Sequence, residues 1–124
     1  MKKIVLNPKA PAPIGPYSQA TLLGNLLFVS GQIALDEQGN LHQKDIETET
    51  HQVMKNLGLI LEQANFSFGD VLKCTIFLKN FNDFQAVNAI YGSYFKENPP
   101  ARETVEVSRL PKDVNIEISC IAGK

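Results

Sequence analysis

The sequence predicts an α+β fold, a mixed β-sheet with two helices on one face. Apolar residues recur at spacings of three and four in only two stretches, Ile46 to Ala64 and Phe84 to Phe95. Around them, apolar and polar residues alternate with period two, the pattern of half-buried strands. The resulting order is β, ββ, α, β, α, β, β. Each helix links strands and is long enough for a right-handed crossover, so some neighbouring strands must run parallel. With 124 residues, 44% of them hydrophobic, residues 1–124 suit one domain with a real core.

Lys3 to Leu6 reads as an edge strand. Asn7 to Pro16 holds four prolines and one glycine, which exclude helix and interior strand and leave a flexible leader or a stiff surface arm. Tyr17 stands at the end of that arm, placed either to present its hydroxyl to a pocket or to pack its ring on the surface. Ala20 to Leu23 and Leu26 to Ser30 read as strands joined at Gly24-Asn25, with Gly24 supplying positive φ. Gly31, inside the continuing pattern, implies a bulge or the close approach of another group. Asp36 to Asn40 is a polar loop.

The first helix has Ile46, Thr50, Val53, Leu57, Ile60, Leu61 and Ala64 on its apolar stripe. Asp45 is its N-cap, Glu47 and Glu49 favour the positive end of its dipole, and Asn65 suits a left-handed residue past its end. Val71 to Leu78 alternates with some apolar character on both faces, as expected of a central strand. The pattern puts Leu72, Cys74, Ile76 and Leu78 on one side, Val71 and Phe77 on the other. Asn82 with Gln85 forms a capping-box pattern for the second helix, whose buried stripe is Phe84, Val87, Tyr91, Tyr94 and Phe95.

Pro100 to Ile121 carries the chemistry. Arg102, Thr104 and Glu106 fall on one face of its first strand; Asn115, Glu117 and Ser119 share a face of its second. The unpaired face of the sheet is therefore expected to carry Arg102, Thr104, Asn115, Glu117 and Ser119. A guanidinium matches a carboxylate, and a carboxylate holds or activates a water, so Arg102 and Glu117 are the candidate site pair. Their local default is a hairpin with Thr104 opposite Glu117. Packing of these faces in a homo-oligomer would place the charges at subunit seams.

Composition narrows the function. Twelve Lys and Arg against thirteen Asp and Glu give a net charge of -1, without the basic excess that attracts nucleic acid or a membrane surface. Cys74 and Cys120 are far apart in apolar patterns and read as reduced core residues. His42 and His51 have no metal-ligand spacing. Met1 to Pro8 carries two lysines but no continuous apolar region, which argues against a signal peptide and for a cytoplasmic protein.

Four stretches carry a resemblance: GPYSQA at Gly15 to Ala20, SGQI at Ser30 to Ile33, THQVMKNL at Thr50 to Leu57, and PARETVEVSRLPKDVNIEI at Pro100 to Ile118. Together they resemble the RidA family of reactive intermediate deaminases. The resemblance implies a chorismate-mutase-like sheet, a homotrimer with intersubunit clefts, and a final strand inserted between earlier strands. On that topology Arg102 and Glu117 meet across a subunit boundary instead of in a hairpin. The implied reaction is cofactor-free hydrolysis of 2-imino acids such as 2-iminobutanoate and 2-iminopropanoate, or their enamines, to 2-keto acids and ammonia. The resemblance assigns Arg102 to the substrate carboxylate and Glu117 to the water, with Tyr17, Ser30, Gly31 and Asn88 lining the pocket. Thr104 stands where the family often has cysteine, which excludes a thiol nucleophile there and leaves the Thr104 backbone. The link across residues 96–101 is short, which would change the pocket rim. Two alternatives stay open: a carboxylate-binding regulatory trimer without turnover, and a translation inhibitor or ribonuclease acting on nucleic acid.

Overall fold

The computed structural model describes residues 1–124. Its strands are β1 (Lys3–Val5), β2 (Ala20–Leu23), β3 (Leu26–Gln32), β4 (Val71–Leu78), β5 (Ala101–Glu106) and β6 (Ile116–Gly123); its helices are α1 (Ile46–Gln63) and α2 (Phe84–Gly92). The six strands form one mixed sheet in the order β1-β2-β3-β6-β4-β5. The last strand therefore inserts between β3 and β4, antiparallel to both, and β5 pairs parallel with β4 at the sheet edge. The local hairpin of β5 with β6 does not form. No helix is long and apolar enough to cross a membrane.

The core lies between the sheet and both helices. Val53, Leu57, Ile60 and Leu61 of α1 share one cluster with Val87 and Tyr91 of α2 and with Ile76, Ile118 and Ala122 of the sheet. Cys74 and Cys120, 46 residues apart in sequence, are direct cross-strand partners inside it. Both remain free thiols, and burial pushes each up its titration scale, so they pack as small hydrophobes.

Local signals act as their chemistry dictates at several joints. Asp45 caps α1 by accepting the Thr48 N–H at 2.7 Å. Gly24 turns the β2–β3 hairpin at φ 59°, and Asn65 closes α1 at φ 64°. The second helix begins differently from its sequence pattern. Asn80 accepts the Asn82 N–H at 2.9 Å and nucleates a 3₁₀ turn over Phe81–Asp83, so α2 starts at Phe84 without an Asn82–Gln85 box. A register shift between Val71 and Lys73 also reverses one expected pair: Val71 is buried and Leu72 is 51% exposed.

The proline-rich segment is a stiff arm, and one buried side chain holds it. Gln19 is 1% exposed. Its amide donates to the carbonyls of Asn7 and Pro11 at 3.1 and 3.0 Å, and its oxygen accepts the Asn7 N–H at 2.7 Å. Asn7 donates in turn to the Leu59 carbonyl of α1 at 2.8 Å. Proline supplies the stiffness and Gln19 the anchor, since buried carbonyls need donors.

The face away from the helices is more apolar than its polar alternation implies. Ile4, Leu23, Leu26, Phe28, Leu72 and Val105 are each more than 40% exposed. Register places Ile4 with Thr21, Thr21 with Phe28, and Leu23 with Leu26 on this side. Exposed apolar area of this kind marks a surface for association.

Candidate active site

Glu117 lies on the open face of β6, opposite Phe77 and thus in line with Val105. Its side chain crosses the backbone of Gly31, where β3 loses register between Val29 and Gln32. A Cβ on Gly31 would sit 2.4 Å from Oε2 and 2.8 Å from Cδ of Glu117. Gly31 is not among the positive-φ glycines, so it is required here for room, not for conformation. Both readings of its place in the sequence, a bulge and a close approach, describe the same contact.

This contact forms the floor of a cleft of about 610 Å³. The arm contributes Pro11, Ile14 and Tyr17 as one wall, Ile33 and Leu35 form another, and Pro111 and Lys112 stand at the mouth. The Ile33–Leu35 wall is fixed by Asn56 of α1, whose buried amide donates to both carbonyls at 3.0 and 2.8 Å. At the outer rim, Asp36 accepts the N–H groups of Gln38 and Asn40 and pairs with His42 at 2.8 Å. The His42 bond, then the Asn40 N–H, hold the Asp36 carboxyl down to about 2.

The polar groups of the cleft have defined free valences. Ser30 Oγ gives its proton to the Ser18 carbonyl at 2.6 Å, leaving lone pairs to accept. Tyr17 Oη accepts the Ile14 N–H at 3.3 Å, leaving its own proton to donate. Glu117 makes no ion pair. Desolvation raises its carboxyl above the ordinary 4.5, so its proton is exchangeable nearer neutrality than that of a surface glutamate. Acceptor, donor and tunable carboxyl face one small volume.

Arg102 and Thr104 are not on this face. Because β6 takes the place beside β4 that a hairpin would have left to it on the other side, β5 is read in register with β4: Cys74 with Arg102, Ile76 with Thr104. Those partners belong to the core, so both side chains turn toward α2. Arg102 Nη1 donates to Asn88 Oδ1 at 2.6 Å, and its guanidinium carbon lies 5.1 Å from the Tyr91 ring centre and 5.7 Å from that of Phe84. Thr104 Oγ1 and Tyr91 Oη are buried without hydrogen-bond partners. Asn115 is displaced too. It donates from its backbone and side chain to the two carboxyl oxygens of Glu49, each at 2.8 Å, instead of facing outward with Glu117. In one chain, then, Tyr17, Ser30, Gly31 and Glu117 come together, while Arg102, Asn88 and Thr104 stand near the β5 edge.

The family model described as Endoribonuclease L-PSP matches residues 7–124. The chain is an L-PSP family protein. Among curated relatives of this L-PSP protein, a RutC family protein of Pyrococcus horikoshii is 52% identical over 125 residues, covering 100% of this chain and 99% of the relative. A Salmonella typhimurium relative, 44% identical over 125 residues with 98% of each chain covered, is named 2-iminobutanoate/2-iminopropanoate deaminase. The solved structure of E. coli TdcF with bound serine matches with a TM-score of 0.94 at 39% identity, covering 98% of each chain. The resemblance carried by the four motifs is thus to the right family.

Sequence reasoning passes over two residues that line this cleft. Gln19 was visible only as part of GPYSQA, although a polar residue directly after a proline-rich arm is a natural anchor for unpaired carbonyls. Lys112 was visible only as the cation of the RLPKD link. His42 pairs with Asp36, and His51 Nδ1 meets Tyr94 Oη, each at 2.8 Å.

Proposed function

We propose that this chain hydrolyses 2-imino acids such as 2-iminobutanoate and 2-iminopropanoate, or their enamine tautomers, to 2-keto acids and ammonia. The observation that carries the reading is the unpaired, partly desolvated Glu117 over Gly31, with a free Tyr17 hydroxyl proton in the same cleft. The name of the Salmonella typhimurium relative supports it. A 2-imino acid offers a carboxylate beside an electrophilic C=N carbon. Water held by Glu117 adds to that carbon, its proton passes to Glu117, and the nitrogen, once protonated, leaves as ammonia as the carbonyl forms. Fixing water and carbon together is itself a large part of the acceleration.

Arg102 enters this reading from a second copy. The apolar open face is the surface for a homotrimer, and β5, at the sheet edge, carries Arg102 toward a neighbouring cleft. There its planar fork, steadied by Asn88, holds the substrate carboxylate bidentately. Thr104 then contributes through its backbone, its hydroxyl being buried. A trimer mass by light scattering at micromolar concentration is the expected outcome, and a monomer mass would remove the partner from the site.

The test is a dehydratase-coupled assay that generates 2-iminobutanoate or 2-iminopropanoate in situ. Wild type should speed keto-acid and ammonia release, and Arg102→Ala should lose roughly tenfold to a hundredfold, the loss of one charged hydrogen-bonded contact of about 1.5–3 kcal/mol. Equal rates for wild type, Arg102→Ala and buffer would end the enzymatic reading. The bound serine of TdcF favours a second reading, a carboxylate-binding protein without turnover. The same assay separates them, since that protein would bind the acids and leave the rate unchanged.

A further inference from the structure

Lys112 is the only Lys or Arg lining the Glu117 cleft. Its backbone is in the left-handed region at φ 54° and ψ 21°, and Asp113 follows at φ 56°. Two successive residues with side chains in this region are strained, and they persist only where the surroundings hold them. The surroundings here are specific. Leu110 and Val114 are buried on either side of the turn. Asp113 N–H donates to the Leu110 carbonyl at 3.0 Å and Val114 N–H to that of Pro111 at 3.2 Å. The Asp113 carboxylate is taken by Lys79 at 2.6 Å, so the acid next to Lys112 in the chain is already paired. Lys112 itself makes no ion pair. A strained, clipped turn thus holds an unpaired cation at the mouth of a cleft whose floor is an unpaired carboxyl.

The other cation assigned to the site, Arg102, faces α2 in its own chain. We propose that Lys112 is a specificity-determining residue of the Glu117 cleft: its ammonium, on the same chain as Glu117, draws in the carboxylate end of small 2-oxo and 2-imino acids before Arg102 of the second copy clamps it. The assignment rests on the imine-hydrolysis reading for its substrate, and on geometry alone for its place. A lysine suits a mouth position, because a point charge on a four-carbon stem follows acids of different length, whereas a guanidinium fork fixes one geometry. Its contribution is to capture, so it acts on KM and on the salt dependence of binding, not on the chemical step.

The experiment compares Lys112→Asn, Lys112→Gly and Lys112→Arg with Lys55→Asn on the exposed side of α1. Asparagine tolerates the left-handed backbone and glycine relieves it, so each removes the charge without adding strain. Two quantities are read: KM and kcat for imine generated in situ, and the Kd of 2-oxobutanoate by calorimetry between about 20 and 200 mM salt. Removing the charge should raise KM and Kd roughly tenfold at low salt, leave kcat within about twofold, and matter less at high salt. Arginine should restore most of the loss, and Lys55→Asn should change nothing. Unchanged KM and Kd in the Asn and Gly variants, with melting temperatures at the wild-type level, overturn the assignment while leaving imine hydrolysis standing. A wild type that binds 2-oxobutanoate through Lys112 yet does not hasten imine breakdown has the opposite meaning: the assignment stands and the reaction does not.

Discussion

Replacing Gly31 with alanine is expected to lower imine turnover about a hundredfold while leaving the melting temperature close to wild type, because a displacement near 1 Å in a reacting group costs that much. The new methyl carbon would sit 2.4 Å from Glu117 Oε2, 2.8 Å from Cδ and 3.0 Å from Cγ. The three nearest atoms all belong to the Glu117 side chain, and Gly31 has no positive φ to lose. The strain is therefore relieved by rotating the end of one flexible side chain, at little cost to the fold. The cost falls on catalysis, since the side chain that rotates is the one proposed to hold water. Thermal melts and the coupled assay on the same preparation check both halves. Full activity in Gly31→Ala would show that the position of Glu117 is irrelevant to turnover. The pH profile supplies an independent reading. Desolvation raises the Glu117 carboxyl above 4.5, so the acid limb of kcat should lie above the ordinary carboxylate range and vanish, with most of the activity, in Glu117→Gln. The same shift makes ionised Glu117 a cost to the native state. Its contribution to stability is fully unfavourable above the raised value and disappears as pH falls toward 4.5.

Glu49→Ala should destabilise the protein by about 4 kcal/mol, lowering Tm by roughly 10 °C or more. Glu49 is fully buried in α1 and accepts from both the backbone and the side chain of Asn115 at 2.8 Å. Alanine would strand two donors with no acceptor and leave a cavity where the side chain was, and the two penalties add. Glu49→Gln keeps one acceptor oxygen and should lose about half as much. Urea and thermal unfolding measure the difference. A loss below about 1 kcal/mol, the size of a surface change, would mean that Asn115 is held by other contacts. The effect reaches the site, because Asn115 directly precedes β6 and Glu117 stands two residues further on. Loss of this tie should reduce turnover in the folded fraction as well.

Glu49 also marks a limit of pattern reading. By spacing it sits in the first turn of a helix, where an acid favours the dipole, and nothing nearby in sequence announces a buried partner 66 residues away. The second-helix cap fails for a local reason: Asn80 offers an acceptor two residues earlier than Asn82 and captures the turn. Leu72 fails because a bulge shifts the period-two count by one residue, which reverses the faces from that point back. Where only nearest neighbours decide, as at Asp45, Gly24 and Asn65, the residue chemistry and the structure agree.

The sequence by itself determined the elements, their order, the caps and turns at those three sites, and that residues 7–16 are neither helix nor interior strand; that they form a held arm was decided by the Gln19 and Asn7 bonds. The sequence also carried, in its four motifs, the family. These are effects of backbone sterics, periodic burial and side chains reaching a few residues along the chain. What only the tertiary structure decided is which strands lie side by side. Insertion of β6 between β3 and β4 buries the Ile116–Ile118–Cys120 face under α1, brings Cys120 against Cys74 and sends β5 to the edge. That single choice turns Arg102 and Thr104 toward α2 and leaves Glu117 alone over Gly31. Alternation tells which residues share a face, but whether two strands present the same face to the same side depends on pairing, and pairing is settled by burial summed over the whole sheet.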